Sequence, residues 1–291
     1  MPKRSKIKSP DCWRRSTRFP GSAISPARSK IWNRKARRHA WYPCSPWPSA
    51  KRHEDDMQEH DMKSDAQRVI DAVEAGGVGI VPLDVAYAIT GNSEEAMRRI
   101  FTAKQRSFEK PSGMLSNWQL FNDIQICGER ERAVVNCIIN DHDLPMSTVA
   151  PFRANHPLFA DVAPFVIENS SKAGTLDMLL NAGELHEELT SQAYASGVPL
   201  FGSSANTSLQ GSKYRLEDIE ASVLEAADIA IDYGTSKYAN DEGRSSSIID
   251  LRDFKTIRIG VCYERIAEIL LQEFDIDLVG IGMAGERAAM G

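Results

Sequence analysis

The chain has 291 residues, of which 42% are hydrophobic and 26% are charged, a composition typical of a folded protein with a sizeable buried core. It contains no run of about 18 consecutive apolar residues, so we do not expect a transmembrane helix. Its five cysteines lack CxxC spacing and its six histidines lack HxxxH or HExxH spacing. We therefore expect neither a disulfide framework nor a protein-built transition-metal site.

The net charge of −5 is unevenly distributed along the chain. Residues 1–53 carry 15 Lys and Arg against one acid, a balance of +14, whereas residues 54–291 carry the other 20 against 39 acids, a balance of −19. We predict a basic, disordered N-terminal extension at 1–60, an α/β domain at 61–270 and a C-terminal tail at 271–291. The extension is interpreted as a targeting or non-functional segment, with a nucleic-acid-binding tail as the alternative. We expect a cytoplasmic protein, or a mitochondrial one if the extension is a transit peptide.

The predicted elements begin at residue 62. Residues 62–77 have apolar side chains at helical spacing and end in two glycines, which is typical of a helix. Residues 78–90 are rich in β-branched and apolar side chains and predict a buried strand that continues into a second extended piece. Residues 91–104 predict a helix with Asn92 as its N-cap and Glu95 completing a capping box.

The remaining patterns alternate between helices and strands, and residues 152–175 carry no assignable periodicity. This mixture predicts an α/β fold, a twisted open mixed sheet flanked by helices. Further helices are predicted over 128–140, 184–197, 215–227 and 263–274, and further strands within 144–151, 198–208, 228–234, 243–253 and 254–260.

Two cations follow the predicted helix at 91–104. If the chain extends after Lys104, Lys104 and Arg106 point the same way and converge on a phosphate or carboxylate, with Lys110 close behind. The alternative is a lysine that merely complements the dipole at the end of the helix.

Other candidate site residues are polar groups inside or next to apolar segments. Asp84 and Tyr87 interrupt an apolar run, and a buried Asp needs partners. The segments 202–208 and 243–250 hold clusters of hydroxyl and amide side chains that suit a phosphate or ribose, or that form ordinary turns. Arg258 is a lone cation in an apolar strand, where a snorkelling or paired residue is the alternative.

Taken in chain order, these segments resemble the Sua5/YrdC/YciO family, the threonylcarbamoyl-AMP synthases. The resemblance covers roughly residues 62–270. The family pattern reads PTDTVYG, KxR…KP, PLTLVLP, SANxSG, STVVD and LRPG. The matching segments here are 82–88, 104–106 with 110–111, 145–151, 204–208, 246–250 and 258–260.

The resemblance implies a domain with one large concave cavity and a defined reaction. L-threonine, bicarbonate and ATP with its Mg²⁺ would give threonylcarbamoyl-adenylate and pyrophosphate, for the later modification of adenosine 37 in tRNA. Lys104 and Arg106 would hold the substrate carboxylate and the phosphates. The remaining positions carried over as substrate- or nucleotide-binding are Asp84, Tyr87, Lys110, Ser147, Ser204, Asn206, Ser246 and Arg258. The implied partners are the small substrates and, further, tRNA or tRNA-modification proteins, with no membrane.

Several positions depart from the family pattern. Leu83 and Val85 replace two threonines, Ala88 replaces a glycine, Leu179 stands where an arginine is expected, and Leu209 occupies the place of the loop glycine. Loss of hydroxyl groups weakens selectivity for a hydroxylated substrate. The alternatives are thus a divergent enzyme for another amino acid or carbamate, a non-catalytic nucleotide- or RNA-binding module, and a paralogue without a ligand.

Overall fold

A computed structural model describes residues 61–107 and 109–278. The predicted N-terminal extension and residues 279–291 of the predicted tail lie outside the described residues. None of the described helices is long and apolar enough to cross a membrane.

Eight α-helices are present in the described part of the chain. A π-helical turn, Cys137–Asp141, directly follows the helix Glu129–Asn136, and two 3₁₀ turns cover Pro157–Phe159 and Leu216–Asp218. The helices are α1 Met62–Glu74, α2 Glu94–Ala103, α3 Trp118–Ile124, α4 Glu129–Asn136, α5 Pro164–Ser170, α6 Glu184–Ala195, α7 Ala221–Leu224 and α8 Tyr263–Phe274.

The first two helices begin where a side-chain oxygen can satisfy a free backbone N–H. Asp61 accepts from the N–H of Ser64 at 3.2 Å, and Ser93 accepts from the N–H of Ala96 at 3.0 Å. The N-cap of α2 is therefore Ser93, and the prediction of Asn92 with a capping box was wrong by one residue. The tail boundary predicted at 271 falls inside α8, which ends at Phe274.

Ten strands of the described residues form one sheet. Its order is β10-β9-β4-β6-β3-β7-β2-β1-β8, and β5 pairs with β6. The β1–β8, β3–β6 and β4–β9 pairs are parallel and the others are antiparallel, so the prediction of a mixed sheet flanked by helices is confirmed. The strands are β1 Gly79–Val81, β2 Ala88–Gly91, β3 Gly113–Leu115, β4 Met146–Pro151, β5 Ser171–Lys172, β6 Thr175–Leu180, β7 Phe201–Ser204, β8 Ile229–Ala230, β9 Ile248–Asp250 and β10 Lys255–Arg258.

Side-chain alternation along the strands divides the core between the two faces of the sheet. Ile80 and Ile89 are opposite each other and pack with residues of α2 and α5. Their neighbours Val81 and Ala88 pack on the other face with residues of α1 and α6. A third cluster joins β4 and β9 to α4 and α8. The helices thus cover both faces of an open sheet.

The structure also departs from the predicted elements. Residues 215–227 do not form one amphipathic helix, because Ile219 and Glu220 have extended backbone conformations between a 3₁₀ turn and α7. Residues 152–175 contain α5 and β5, and the segment between α2 and α4 contains β3 and α3, which the sequence analysis did not identify.

Candidate functional site

The turn after α2 carries the two cations singled out in the sequence. Gln105 has a φ of +49°, so the chain passes through a left-handed residue before Arg106, and the N–H of Arg106 donates to the Phe101 carbonyl at 2.9 Å. Lys104 and Arg106 therefore do not lie on an extended strand, and this part of the sequence argument was wrong. They remain close enough for the charge of Arg106 to lower the pKa of Lys104.

Lys104 is a buried cation that holds a loop. It is 1% exposed, and its ammonium donates to the carbonyls of Ser204 and Asn206, the latter at 2.6 Å. Its own carbonyl accepts from the N–H of Ser208 at 2.9 Å. Burial, and after it the charge of Arg106, lowers the pKa of Lys104 to about 7. A nearby anion would therefore change the protonation of this amine close to neutral pH.

The loop that Lys104 holds, residues 204–208, is also closed by its own side chains. Ser204 Oγ donates to Asn206 Oδ1, and Asn206 Nδ2 donates to the Thr207 carbonyl at 2.6 Å. Asn206 is buried and Ser204 is half-buried. The loop is thus fixed beside Lys104 before any ligand binds.

Arg106 is held in place by the segment that follows it. Its Nε donates to the Lys110 carbonyl at 3.0 Å and its Nη2 to the Pro111 carbonyl at 2.6 Å. Burial, and after it the charge of Arg258, lowers the pKa of Arg106. Lys110 itself is exposed and contributes its backbone to this arrangement.

Arg258 and two serines form the second half of the site. Arg258 Nε and Nη2 donate to the Ser246 carbonyl at 3.0 and 2.8 Å, and Nη2 also donates to Ser246 Oγ at 3.0 Å. Ser246 Oγ lies 2.9 Å from Ser147 Oγ. Arg258 is exposed to solvent, and yet the surrounding protein lowers its pKa by desolvation.

Asp177 on β6 is a candidate site residue that was not predicted from the sequence. Burial raises its pKa to about 6, while Arg258, Ser147 and Arg106 act in the opposite direction. Its Oδ1 atom is buried and accepts no hydrogen bond from the described residues. A lone acid in the apolar strand "TLDMLL" was the available indication.

These side chains share one electrostatic environment. Burial lowers the pKa values of Arg106 and Arg258, and the charge of Asp177 offsets part of this effect, although no ion pair within the described residues joins it to either arginine. Two arginines thus face one carboxylate without contact, which leaves donor groups on both arginines for a ligand. We call this group the polar centre; it consists of Lys104, Arg106, Ser147, Asp177, Ser246 and Arg258.

Asp84 and Tyr87 make contacts outside the polar centre. The Tyr87 hydroxyl lies 2.6 Å from Asp232 Oδ1 and 2.9 Å from the Gly234 carbonyl, and burial raises its pKa. Asp84 Oδ2 lies 3.6 Å from Lys237 Nζ, and burial raises the pKa of this carboxyl. Tyr87 therefore anchors the segment after β8.

An open groove of about 900 Å³ lies between α2 and α7. Its walls carry exposed side chains that are already paired, such as Arg98 with Glu94 and Arg99 with Asp228. We regard the polar centre as the better site, because within the described part of the chain it is where cations with pKa values lowered by burial, hydroxyls and a buried carboxylate come together.

The Sua5_yciO_yrdC family model, described as "Telomere recombination", matches residues 71–260, which is 190 of the 291 residues. The chain belongs to the Sua5/YciO/YrdC family. All residues of the polar centre lie inside the matched range.

Individual relatives are distant. A candidate threonylcarbamoyl-AMP synthase of Methanocaldococcus jannaschii is 27% identical over 188 residues, which cover 63% of this chain and 79% of that protein. A hypothetical protein of Streptococcus mutans has a TM-score of 0.61 at 20% identity, covering 73% of this chain and 93% of that one. Sua5 of P. abyssi, solved with L-threonine, has a TM-score of 0.57 at 20% identity, covering 74% of this chain and 59% of that one. At these identities the two structures show the shared fold.

Three departures from the family pattern lie in one apolar cluster. Leu83 and Val85 are 4% and 1% exposed, and the partly buried Leu179 packs against the same cluster beneath α1 and α6. The threonine hydroxyls and the arginine that the family pattern has at these positions are thus replaced by apolar side chains of one core cluster.

Proposed function

We propose that this chain is an ATP-dependent enzyme that activates the carbamate of an amino acid as its adenylate, releasing pyrophosphate. The observation that carries the proposal is the polar centre, in which Arg106 and Arg258 are held by backbone carbonyls and by Ser246 and still have N–H groups to donate. Membership of the Sua5/YciO/YrdC family supports this reaction class.

In this proposal the chain positions charge and forms no covalent bond itself. A carbamate oxygen attacks the α-phosphorus of ATP, the bond from that phosphorus to the bridging oxygen breaks, and pyrophosphate leaves with its Mg²⁺. Arg106 and Arg258 would neutralise the phosphates, and one hydroxyl of the hydrogen-bonded Ser147–Ser246 pair would donate to a phosphate oxygen. Because these groups are already fixed, little reorganisation would be needed during the reaction.

The identity of the amino acid is the open part of the proposal. L-threonine, with bicarbonate, is the first candidate, and a tRNA-modification role with tRNA or partner proteins would follow from it. The apolar cluster at Leu83, Val85 and Leu179 and the carboxylate of Asp177 favour a second candidate, an enzyme for a different amino acid. A substrate side chain without a hydroxyl would not need the hydrogen-bond partners that Leu83 and Val85 lack.

The test is pyrophosphate release by the purified full chain with ATP, Mg²⁺ and bicarbonate. L-threonine is compared with a panel of other amino acids, and release with at least one of them is expected. ATP-dependent thermal stabilisation without pyrophosphate release from any amino acid would contradict the enzyme and favour a nucleotide-binding module.

A matched pair of variants tests the phosphate site. Arg106→Ala should abolish the thermal stabilisation by ATP, because a fixed donor and a positive charge are both lost. Arg215→Ala, an exposed arginine paired with Glu217, should leave it unchanged. Equal stabilisation of both variants would place the phosphates elsewhere.

A further inference from the structure

A second cluster of chemically active side chains lies where the π-helical turn meets α8. The turn covers Cys137–Asp141, and the N–H of His142 donates to the Cys137 carbonyl at 3.0 Å, a bond from residue i+5 to residue i. In an α-helix the neighbours on one face are three or four residues apart. A π-helical turn brings residues five apart together, and such turns are frequent at functional sites.

The third member of the cluster comes from the last turn of α8. Glu273 Oε2 lies 3.2 Å from Cys137 Sγ, and Glu273 Oε1 lies 2.9 Å from His142 Nε2. One ligand atom from each of the three residues lies within 4.8 Å of the other two. Spacings of this size are compatible with one ion at the bond lengths of a metal site, about 2.0–2.3 Å for zinc.

We propose that Cys137, His142 and Glu273 bind one divalent ion of the zinc class. A thiolate, an imidazole and a carboxylate are together the ligands that borderline-soft ions such as Zn²⁺ prefer over Mg²⁺ or Ca²⁺. On binding, the thiol releases its proton to solvent, and the ion replaces the hydrogen bonds that Cys137 and His142 now make with Glu273.

The burial of the three residues suits a site with one open position. Cys137 is 4% exposed, His142 is half-buried and Glu273 is exposed, so the ion would enter from the Glu273 side and keep water there. None of the three belongs to the polar centre. His142 and Cys137 lie 131 and 136 positions before Glu273 in the sequence. The ion would therefore join the π-helical turn to α8 and stabilise the folded chain.

The spacing of these ligands explains why no transition-metal site was predicted from the sequence. The prediction rested on the absence of CxxC, HxxxH and HExxH spacings, which suit zinc fingers and α-helices, whereas Cys137 and His142 are five residues apart. The spacing brings ligands together only in the π-helical register that the structure contains.

The test is a titration of the full chain with Co²⁺, a spectroscopic substitute for Zn²⁺, followed by calorimetry with Zn²⁺. One equivalent with a thiolate-to-cobalt absorption band is expected, and Zn²⁺ should raise the melting temperature. Cys137→Ser should remove the band and weaken binding by at least about tenfold. Glu273→Gln, which keeps the side-chain size and one acceptor oxygen but removes the charge, should weaken binding in the same way and serves as the test if Cys137→Ser does not fold.

Two controls separate this site from other thiols. Cys127→Ser changes a half-buried cysteine elsewhere and should leave binding unchanged. The titration is repeated on Cys12→Ser/Cys44→Ser, since these cysteines lie outside the described residues. Binding that survives Cys137→Ser and Glu273→Gln, or that depends on Cys12 and Cys44, would overturn the proposal.

Discussion

Asp177 places a negative charge in a centre that otherwise suits an anion. Its carboxyl has a pKa raised to about 6, mainly by burial, so at neutral pH it is largely ionised and opposes a phosphate beside Arg106 and Arg258. A ligand that donates a hydrogen bond to this carboxylate would gain instead, because Oδ1 accepts none from the described residues. We therefore expect Asp177 to make the centre selective among ligands.

Asp177→Asn should therefore tighten the binding of metal-free ATP. Removal of one charge several ångströms from the phosphates is expected to raise the affinity about three- to tenfold at pH 8. The ratio of variant to wild-type affinity should fall towards one below pH 6, because the wild-type carboxyl is then protonated. Calorimetry at several pH values measures it, with exposed Asp218→Asn as the control. A ratio independent of pH would show that Asp177 does not face the phosphates.

Lys104 is a candidate site residue that also stabilises the fold. Lys104→Met would leave the Ser204 and Asn206 carbonyls without their donor and should lower the free energy of unfolding by about 1–3 kcal/mol. Since the pKa of Lys104 falls from 10.5 to about 7 on folding, its contribution to wild-type stability should rise with pH between 7 and 10.5, and the variant should lose that rise. Urea unfolding of the wild type and the variant at the two ends of this pH range measures the difference.

The control for this variant is Lys172→Met on β5, an exposed lysine that should change stability little. If Lys104→Met were as stable as Lys172→Met at every pH, the buried lysine would not hold the 204–208 loop.

Residue identity and spacing predicted part of the polar centre. Lys104 and Arg106 were singled out as cations after a helix, Ser246 as part of a hydroxyl cluster before a strand and Arg258 as a lone cation in a strand, whereas Ser147 came only from the resemblance to the family. Their mutual arrangement depends on Gln105 turning left-handed and on strands distant in sequence, which no local pattern encodes. Their roles towards substrate remain predictions.

At the scale of elements, helices with a long apolar stripe were predicted well. α1 and α8 have one buried face over three turns, which local periodicity shows directly. Residues 215–227 have a similar pattern but no single helix, because Glu220 accepts from the N–H of Thr207 at 3.2 Å and pairs with Lys213 at 3.0 Å. Glu220 has an extended backbone conformation where these tertiary contacts form, although its local propensity favours a helix.

The close contact between β2 and β7 leaves no room for a side chain at Gly202. A Cβ atom on Gly202 would lie 2.2 Å from the Ile89 carbonyl oxygen, so Gly202→Ala should force the two strands apart and lower the free energy of unfolding by about 3 kcal/mol or more. Gly174→Ala is the control. Gly174 has a φ of +75° but open space around it, so only backbone strain of about 1–2 kcal/mol is expected. Chemical denaturation compares them, and equal losses would refute the packing argument.

At the scale of the molecule, the class of the fold was predictable but its strand order was not. Intermingled helices and strands indicate a helix-covered sheet. The order depends on pairings such as Ser147 with Ile248 and Met146 with Leu180, which join segments far apart in sequence. These pairings bring Ser147, Asp177 and Ser246 to one region, so the site could be described only once the topology was known.

The buried His186 makes the stability of the folded chain depend on pH. It is 0% exposed, and its Nδ1 accepts from the N–H of Ala182 at 3.3 Å, so the ring is neutral in the folded chain and burial lowers its pKa from 6.5 to about 3. The unfolded chain therefore binds the extra proton between these pH values. Stability that is present above pH 6.5 is lost as the pH falls towards 3, by several kcal/mol from this residue alone.

His186→Asn should flatten this acid dependence while keeping an acceptor for the Ala182 N–H. The variant is expected to be less stable at pH 7, because ring volume is lost from the core, and yet to lose less stability than the wild type between pH 6.5 and 4. Urea unfolding across that range measures the slope. His156→Asn is the matched control, since His156 Nδ1 accepts from the N–H of Leu158 at 3.2 Å in a half-buried position. If the two variants had the same slope as the wild type, acid unfolding would originate in other groups, and His186 would owe its burial to packing alone.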